Sequence, residues 1–239
     1  MNIALIGYGK MGRQIHELAR KNNHQVVCII DEGNRSEIDS DTFREAEVAF
    51  EFTNPESAVQ NFLDAFKQNV PVVSGTTGWL EHWDLVSEAC RNFDGALFYA
   101  SNFSLGVNLF FKMNRMLAEL MARFPDYQAH IEEIHHTKKL DAPSGTAISL
   151  ANQIIESNKK LTSWKLNPYS EHNKLPVFSI REGQVTGTHS VHYVSEIDKL
   201  SIRHEAFNRQ GFAIGAIMAA EFLIGKKGIF GMDDLLSDK

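Results

Sequence analysis

Two histidines and two lysines crowd the stretch His135-His136-Thr137-Lys138-Lys139, in a chain whose formal net charge is −6. Upstream, Ala129 to Ile134 reads as a strand, with β-branched residues and partial alternation. Downstream, Asp141-Ala142-Pro143 must be extended or turned, because a residue before proline avoids the helical region. Ser144 then offers an oxygen to cap a helix running through Ala147, Ile148, Leu150 and Ala151. The basic residues thus leave a strand facing the start of a helix. Free backbone N–H groups near Gly145 and Thr146, with the helix dipole, favour an anion there, and His136 and Lys139 add cationic donors. Histidine near neutral pH can also move a proton, as can a lysine whose pKa is lowered in a pocket. A bare basic run is more often a solvated loop, but this one is framed by a strand and a cap.

A second chemical signal lies near the start. Gly7-Tyr8-Gly9-Lys10-Met11-Gly12 follows the apolar run Ile3 to Ile6 and precedes helical spacing at Ile15, Leu18 and Ala19. In that context Gly7 permits a tight turn, Gly9 lets backbone approach a pyrophosphate, and Gly12 lets helix and strand pack closely. A second buried strand, Val26 to Ile30, ends in Asp31, about 20 residues past the loop, where an acid binds adenosine ribose hydroxyls. Glu32 follows it, and two carboxylates repel a 2′-phosphate by about 1 kcal/mol or more. NADH is therefore the expected cofactor, with NADPH possible because Arg35 is close in sequence.

These residues need elements to hold them. Strands are expected at 48–52, 72–73 and 96–100, with helices from Pro55 to about Asn69 and from Leu80 to Arg91. Repeating units of this kind imply a doubly wound parallel sheet with right-handed crossovers and ligands beyond the strands' carboxyl ends. The helical spacing of Leu109, Phe110, Met113, Met116, Leu117, Leu120, Met121 and Phe124 reads as core packing, ended by Pro125. Residues 156–176 read as polar loop with Trp164 and Tyr169 as anchors. A strand begins over 178–181, Gly183 and Gly187 mark turns, and 190–194 and 200–204 alternate like antiparallel strands. The expected plan is a Rossmann-type dinucleotide-binding domain over 1–106, completed by 212–239, and a smaller α+β domain over 107–211 for substrate and oligomerisation.

The acidic balance argues against nucleic acid as a partner. Cys28 and Cys90 show neither metal spacing nor a disulfide framework, so no metal and a reducing, cytoplasmic setting are expected. The chain runs from Met1 straight into a strand, with no signal peptide read there. The run 212–224 contains Glu221 and is too short to span a bilayer.

The string Glu133, His135, His136, Lys139, Asp141-Ala142-Pro143-Ser144-Gly145-Thr146-Ala147 resembles the signature of the 4-hydroxy-tetrahydrodipicolinate reductase (dihydrodipicolinate reductase) family. Gly75-Thr76-Thr77-Gly78 and Ala100-Ser101-Asn102-Phe103-Ser104 match further family motifs, which the resemblance places against the cofactor. Arg181-Glu182-Gly183, Gly187-Thr188-His189 and Lys227-Gly228-Ile229-Phe230 also resemble the family, whose C-terminal segment folds back onto the dinucleotide domain. The glycine loop departs from it, being one residue shorter and carrying Lys10 in place of arginine. The resemblance implies NAD(P)H-dependent reduction of a cyclic dicarboxylate imine in lysine and diaminopimelate biosynthesis, by a homotetramer. It makes His135 the general acid/base and Lys139 the proton donor, with His136, Gly145 and Thr146 holding a substrate carboxylate. His189 could line the substrate cleft or be a structural histidine. Rival readings are another two-domain oxidoreductase on a small acid or sugar, and a dinucleotide sensor without turnover.

Overall fold

The computed structural model describes residues 1–166, 173–208 and 210–237. The apolar run near the start is β1 (Asn2–Ile6), followed by α1 (Lys10–Lys21), which buries Ile15 and Ala19, and β2 (Gln25–Ile30). A 3-10 helix over Glu32–Asp39 and α2 (Asp41–Arg44) come next, neither expected from periodicity. They are short and side-chain capped: the Ser40 hydroxyl accepts from Phe43 N at 3.1 Å. After β3 (Val48–Glu51), α3 (Pro55–Lys67) has proline at its start and the Asn54 carboxamide accepting from Ser57 N at 2.9 Å. β4 (Val72–Ser74), a short 3-10 turn at Leu80–His82, α4 (Trp83–Asn92) and β5 (Ala96–Tyr99) complete this stretch.

The next segment is α5 (Leu105–Met121), β6 (Gln128–His135), α6 (Gly145–Ser157), β7 (Ser163–Leu166), β8 (Lys174–Arg181), β9 (Gly187–Val194) and β10 (Lys199–Ala206). Its five-stranded sheet has the order β10-β9-β6-β8-β7, with β6, β7 and β8 parallel and β9 antiparallel to both its neighbours. The expected loop at 156–176 is thus partly regular, and Trp164 packs from β7 against the sheet's core. Tyr169 lies outside the described residues. Gly183 makes a turn with φ +48°, whereas Gly187 opens β9 opposite Ala206. The apolar spacing on α5 is not all core: Phe110 and Met121 are buried, but Leu109, Met113, Met116, Leu120 and Phe124 are half exposed. Two apolar stripes share this helix, and only one meets the sheet.

The chain then enters α7 (Gln210–Leu223), β11 (Gly228–Phe230) and α8 (Met232–Ser237). β11 adds to β5 in parallel, Gly228 opposite Ala96. The sheet order is β11-β5-β4-β3-β1-β2, parallel throughout. One face buries Phe62, Phe66, Trp79 and Val86 from α3, α4 and their loops. The other buries Ile15, Ala19, Ala216 and Ala220 from α1 and α7. This is a Rossmann-type doubly wound sheet, and β1, flanked by β2 and β3, is where its winding reverses. Two compact units result: Met1–Leu105 with Gln210–Lys239, and Gly106–Arg209. Among the described residues, no helix is long and apolar enough to cross a membrane.

Candidate active site

In the first unit the glycine loop leaves β1 at the reversal point. Gly7 adopts φ +92°, and a Cβ there would stand 2.3 Å from the Phe52 carbonyl oxygen, so the turn demands glycine. A Cβ on Gly12 would lie 2.2 Å from the Gly7 carbonyl oxygen. A Cβ on Gly9 would meet nothing within 4 Å. Gly9 caps α1 without a side-chain bond, no acid sits in the first turn, and Lys10 and Met11 open the helix. Tyr8 holds the loop's flank: its hydroxyl meets His16 Nδ1 at 2.8 Å, and the Arg13 guanidinium lies 5.2 Å from its ring centroid. Open space over Gly9, uncapped N–H groups and a lysine together fit a dinucleotide pyrophosphate.

Asp31 stands at the end of β2, where its carboxylate accepts from Glu32 N at 3.1 Å and its N–H donates to Asn34 Oδ1 at 2.8 Å. Arg35 does not turn toward it. Arg35 Nη2 donates to Asp64 Oδ2 at 2.8 Å and to Asn61 Oδ1 at 3.2 Å, both on α3. The loops after β3 and β4 are pinned from below. Glu51 is fully buried and accepts from the Thr53 hydroxyl and, at 2.7 Å, from the Ser74 hydroxyl. Burial pushes its carboxyl up, opposed by bonds from Thr53, Ser74, Thr76 and Asn61. Thr76 accepts from Thr53 N at 2.9 Å, and a Cβ on Gly75 would stand 2.2 Å from the Phe52 ring. Among the motif residues, Thr76, Ala100 and Phe103 are buried and shape the loops, whereas Thr77 and Ser101 are exposed. Asn102 accepts from Ser104 N at 2.9 Å.

In the second unit, β6 delivers Ile131, Glu133 and His135 to one face at period two. Glu133 is fully buried. Its oxygens accept from Ser144 N at 3.0 and 3.1 Å, the Ser179 hydroxyl at 2.8 Å and Arg181 Nη2 at 3.0 Å. Burial raises the Glu133 carboxyl, but contacts from His189, Ser144, Ser179 and Arg181 together hold it far below the usual range. His135 and His189 meet edge to face, ring centroids 5.0 Å apart. Burial lowers the His135 imidazole to about 4; Glu133 opposes this, while His189, Lys139 and Arg181 add to it. At pH 7 His135 is a neutral imidazole. Ligand atoms of Glu133, His135 and His189 fall within 4.8 Å of one another, but Arg181 already supplies the cation that this carboxylate needs.

Ser144 caps α6, its hydroxyl accepting from Ala147 N at 3.2 Å and meeting His189 Nε2 at 3.1 Å. Gly145 opens the helix beside Thr146, and a Cβ on Gly145 would meet nothing within 4 Å. His136 is half buried, and Lys139 pairs with Asp141 at 2.8 Å. The charge run is therefore not uniformly cationic, since Lys139 is matched by its neighbour. His189 is packed and bonded to the α6 cap. The residues missed by sequence reasoning are Glu133 as a hub, Ser179 and Arg181. The signal was available: Glu133 is in phase with Ile131 on the inward face, and a buried carboxylate requires partners.

Residues 1–103 match the family described as dihydrodipicolinate reductase, N-terminus, and residues 106–236 match dihydrodipicolinate reductase, C-terminus. A 4-hydroxy-tetrahydrodipicolinate reductase of Christiangramia forsetii is 50% identical over 238 residues, covering 100% of this chain and 98% of that protein. Its counterpart in Staphylococcus saprophyticus is 33% identical over 247 residues, covering 98% and 100%. The dipicolinate-bound dihydrodipicolinate reductase of Paenisporosarcina sp. TG-14 shares the fold, with TM-score 0.79, 23% identity and 98% of each chain covered. An aspartate dehydrogenase of Thermotoga maritima is a more distant structural match, with TM-score 0.52 and 15% identity. With both halves matched by one family and half of its residues shared with a member that it covers almost end to end, this chain belongs to the dihydrodipicolinate reductase family.

Proposed function

We propose that the chain reduces 4-hydroxy-tetrahydrodipicolinate to tetrahydrodipicolinate, in the route to diaminopimelate and lysine. The observation that carries this reading is the seating of a buried neutral imidazole, His135, and an ammonium, Lys139, beside the Ser144-capped start of α6. An anion-favouring helix start beside proton-transfer groups suits a dicarboxylate that must lose water and accept a hydride. When bound, the nicotinamide dinucleotide supplies that hydride. Gly7 to Gly12 hold the pyrophosphate, Asp31 the ribose, and the loops at 75–77 and 100–103 the nicotinamide half. His135 takes up and returns a proton, Lys139 donates one, and His136, Gly145 and Thr146 orient a carboxylate. NADH is the preferred cofactor and NADPH a poorer one. Asp31 and Glu32 support that preference, as does the engagement of Arg35 with Asp64.

The enzyme works in the cytoplasm, where its two unpaired, buried cysteines stay reduced. It assembles as a homotetramer through the strands of the unit spanning 106–209. The test is to follow NADH absorbance while a dihydrodipicolinate synthase makes substrate from aspartate semialdehyde and pyruvate. Substrate-dependent oxidation is expected, with H135A and K139A reduced roughly 10²- to 10⁴-fold in kcat. NADH binding without turnover would make the protein a sensor instead, and near-normal kcat in H135A would remove its assigned role.

A further inference from the structure

The mechanism leaves Glu133 unused, although it is the most heavily bonded side chain in the second unit's site. Its Oε1 is taken by Ser179 and Arg181, and both oxygens by the Ser144 N–H. Every one of these partners is a donor. What remains is the side of Oε2 that faces two imidazoles, with His135 Nδ1 at 3.5 Å and His189 Nε2 at 3.7 Å. His135 Nδ1 is shut off from solvent and makes no hydrogen bond; the Glu133 carboxylate at 3.5 Å is the acceptor placed beside it. His135 keeps 7% of its surface exposed, none of it at Nδ1. The Nε2 edge of that ring lies over Gly187: a Cβ there would come within 3.1 Å of Nε2.

We infer that Glu133 is a positioning residue for the reaction: its Oε2 keeps the proton of neutral His135 on Nδ1, so that Nε2 is the nitrogen that exchanges protons with substrate. The chemistry is that of a buried carboxylate behind a catalytic imidazole, where the carboxylate selects the tautomer and orients the ring. Glu133 is suited to this because it stays charged. Arg181 neutralises it from β8, the Ser144 N–H binds it from the start of α6, and its side chain is fully buried. The other titratable groups around His135 are His189 on β9 and, beyond β6, Lys139 paired with Asp141. Since Glu133 binds the backbone N–H of Ser144, the residue whose hydroxyl caps α6, one side chain faces the imidazole and also anchors the start of the anion-favouring helix. The inference rests on His135 taking part in proton transfer.

The test is E133Q, which keeps size and shape. Its amide oxygen must face the Ser144, Ser179 and Arg181 donors, which leaves the NH₂ pointing at the imidazoles. That NH₂ donates to His135 Nδ1 and forces the proton onto Nε2. In serine proteases the equivalent amide swap costs about 10⁴ in kcat through the wrong tautomer. The expected result is a loss of roughly 10²- to 10⁴-fold in kcat with little change in KM. ¹⁵N spectra of histidine-labelled enzyme should show the proton of His135 on Nδ1 in the wild type and on Nε2 in E133Q. S179A, which removes one donor from the opposite oxygen, should leave the tautomer as it was. A wild-type proton on Nε2 overturns the inference even if E133Q fails to fold. So does a folded E133Q with unchanged tautomer or unchanged kcat. Near-normal turnover by H135N would instead remove His135 from the reaction, and the wild-type spectrum separates the two failures.

Discussion

Arg35 spends its guanidinium on Asp64, Nη2 to Oδ2 at 2.8 Å, rather than on the ribose end of β2. The basic residue nearest in sequence to Asp31 and Glu32 is thereby held against α3, with Asn61 as a second acceptor. A 2′-phosphate would meet carboxylates without a matching cation. We expect kcat/KM to favour NADH over NADPH by about tenfold, the equivalent of about 1.4 kcal/mol. E32R should narrow or invert the ratio, and D64N should narrow it by releasing Arg35. Equal or better use of NADPH by the native chain would defeat this account.

Glycines make opposite predictions in the two units. A Cβ on Gly12 would collide with a backbone carbonyl, which cannot swing aside, so G12A should lose about 2 kcal/mol or more. G145A meets open space and should melt with the native protein. If Gly145 receives a substrate carboxylate, G145A should still raise KM by about tenfold. Thermal melts beside steady-state kinetics distinguish a fold defect from a binding defect.

Acid should destabilise the protein through His135. Its imidazole is lowered to about 4 by burial, with Glu133 opposing and the neighbouring cations adding. Between that value and the ordinary value near 6.5, the unfolded chain binds more protons than the folded one. Stability is therefore full above about pH 6.5 and falls as pH drops toward 4, by up to about 3 kcal/mol. Glu133, held low, loses its own contribution at still lower pH, and the lowered His130, His192 and His204 act in the same direction as His135. Unfolding curves across this range should be flatter in H135N than in the wild type. An unchanged slope would show that the buried imidazole is not shifted.

Glu51 should behave in reverse. Burial raises its carboxyl against the bonds from Thr53, Ser74, Thr76 and Asn61, so its contribution is lost as pH rises above the ordinary carboxyl range. E51Q keeps a hydrogen-bonding group there without the charge and should be at least as stable as the wild type at pH 8. E51A leaves the Thr53 and Ser74 hydroxyls without their acceptor and should cost about 2 kcal/mol. A fall in Tm for E51Q equal to that for E51A would contradict this.

The strands and glycine loop of the first unit were legible because their signals are local. An apolar run, a glycine turn and helical spacing occupy consecutive residues, and Asn54-Pro55 announces α3 by itself. The Ser144 cap was legible for the same reason. What escaped depends on distant partners. β7 and β11 are short strands defined by pairing with β8 and β5, not by alternation. The exposed stripe on α5 has the same spacing as its buried one. The pairing of Lys139 with Asp141, the diversion of Arg35 to Asp64 and the gathering of Ser179 and Arg181 on Glu133 are side-chain choices that only the folded chain makes.

The attachment of β11 to β5 has a consequence for synthesis on the ribosome. Residues 106–209 emerge consecutively and can close as they appear, but the cofactor-binding sheet must wait for its last parallel strand. Until then β5 offers a bare row of amide groups to any passing strand, an invitation to aggregate. A nascent chain stalled before Gly228 would therefore be sticky along β5, the strand that β11 covers in the finished protein.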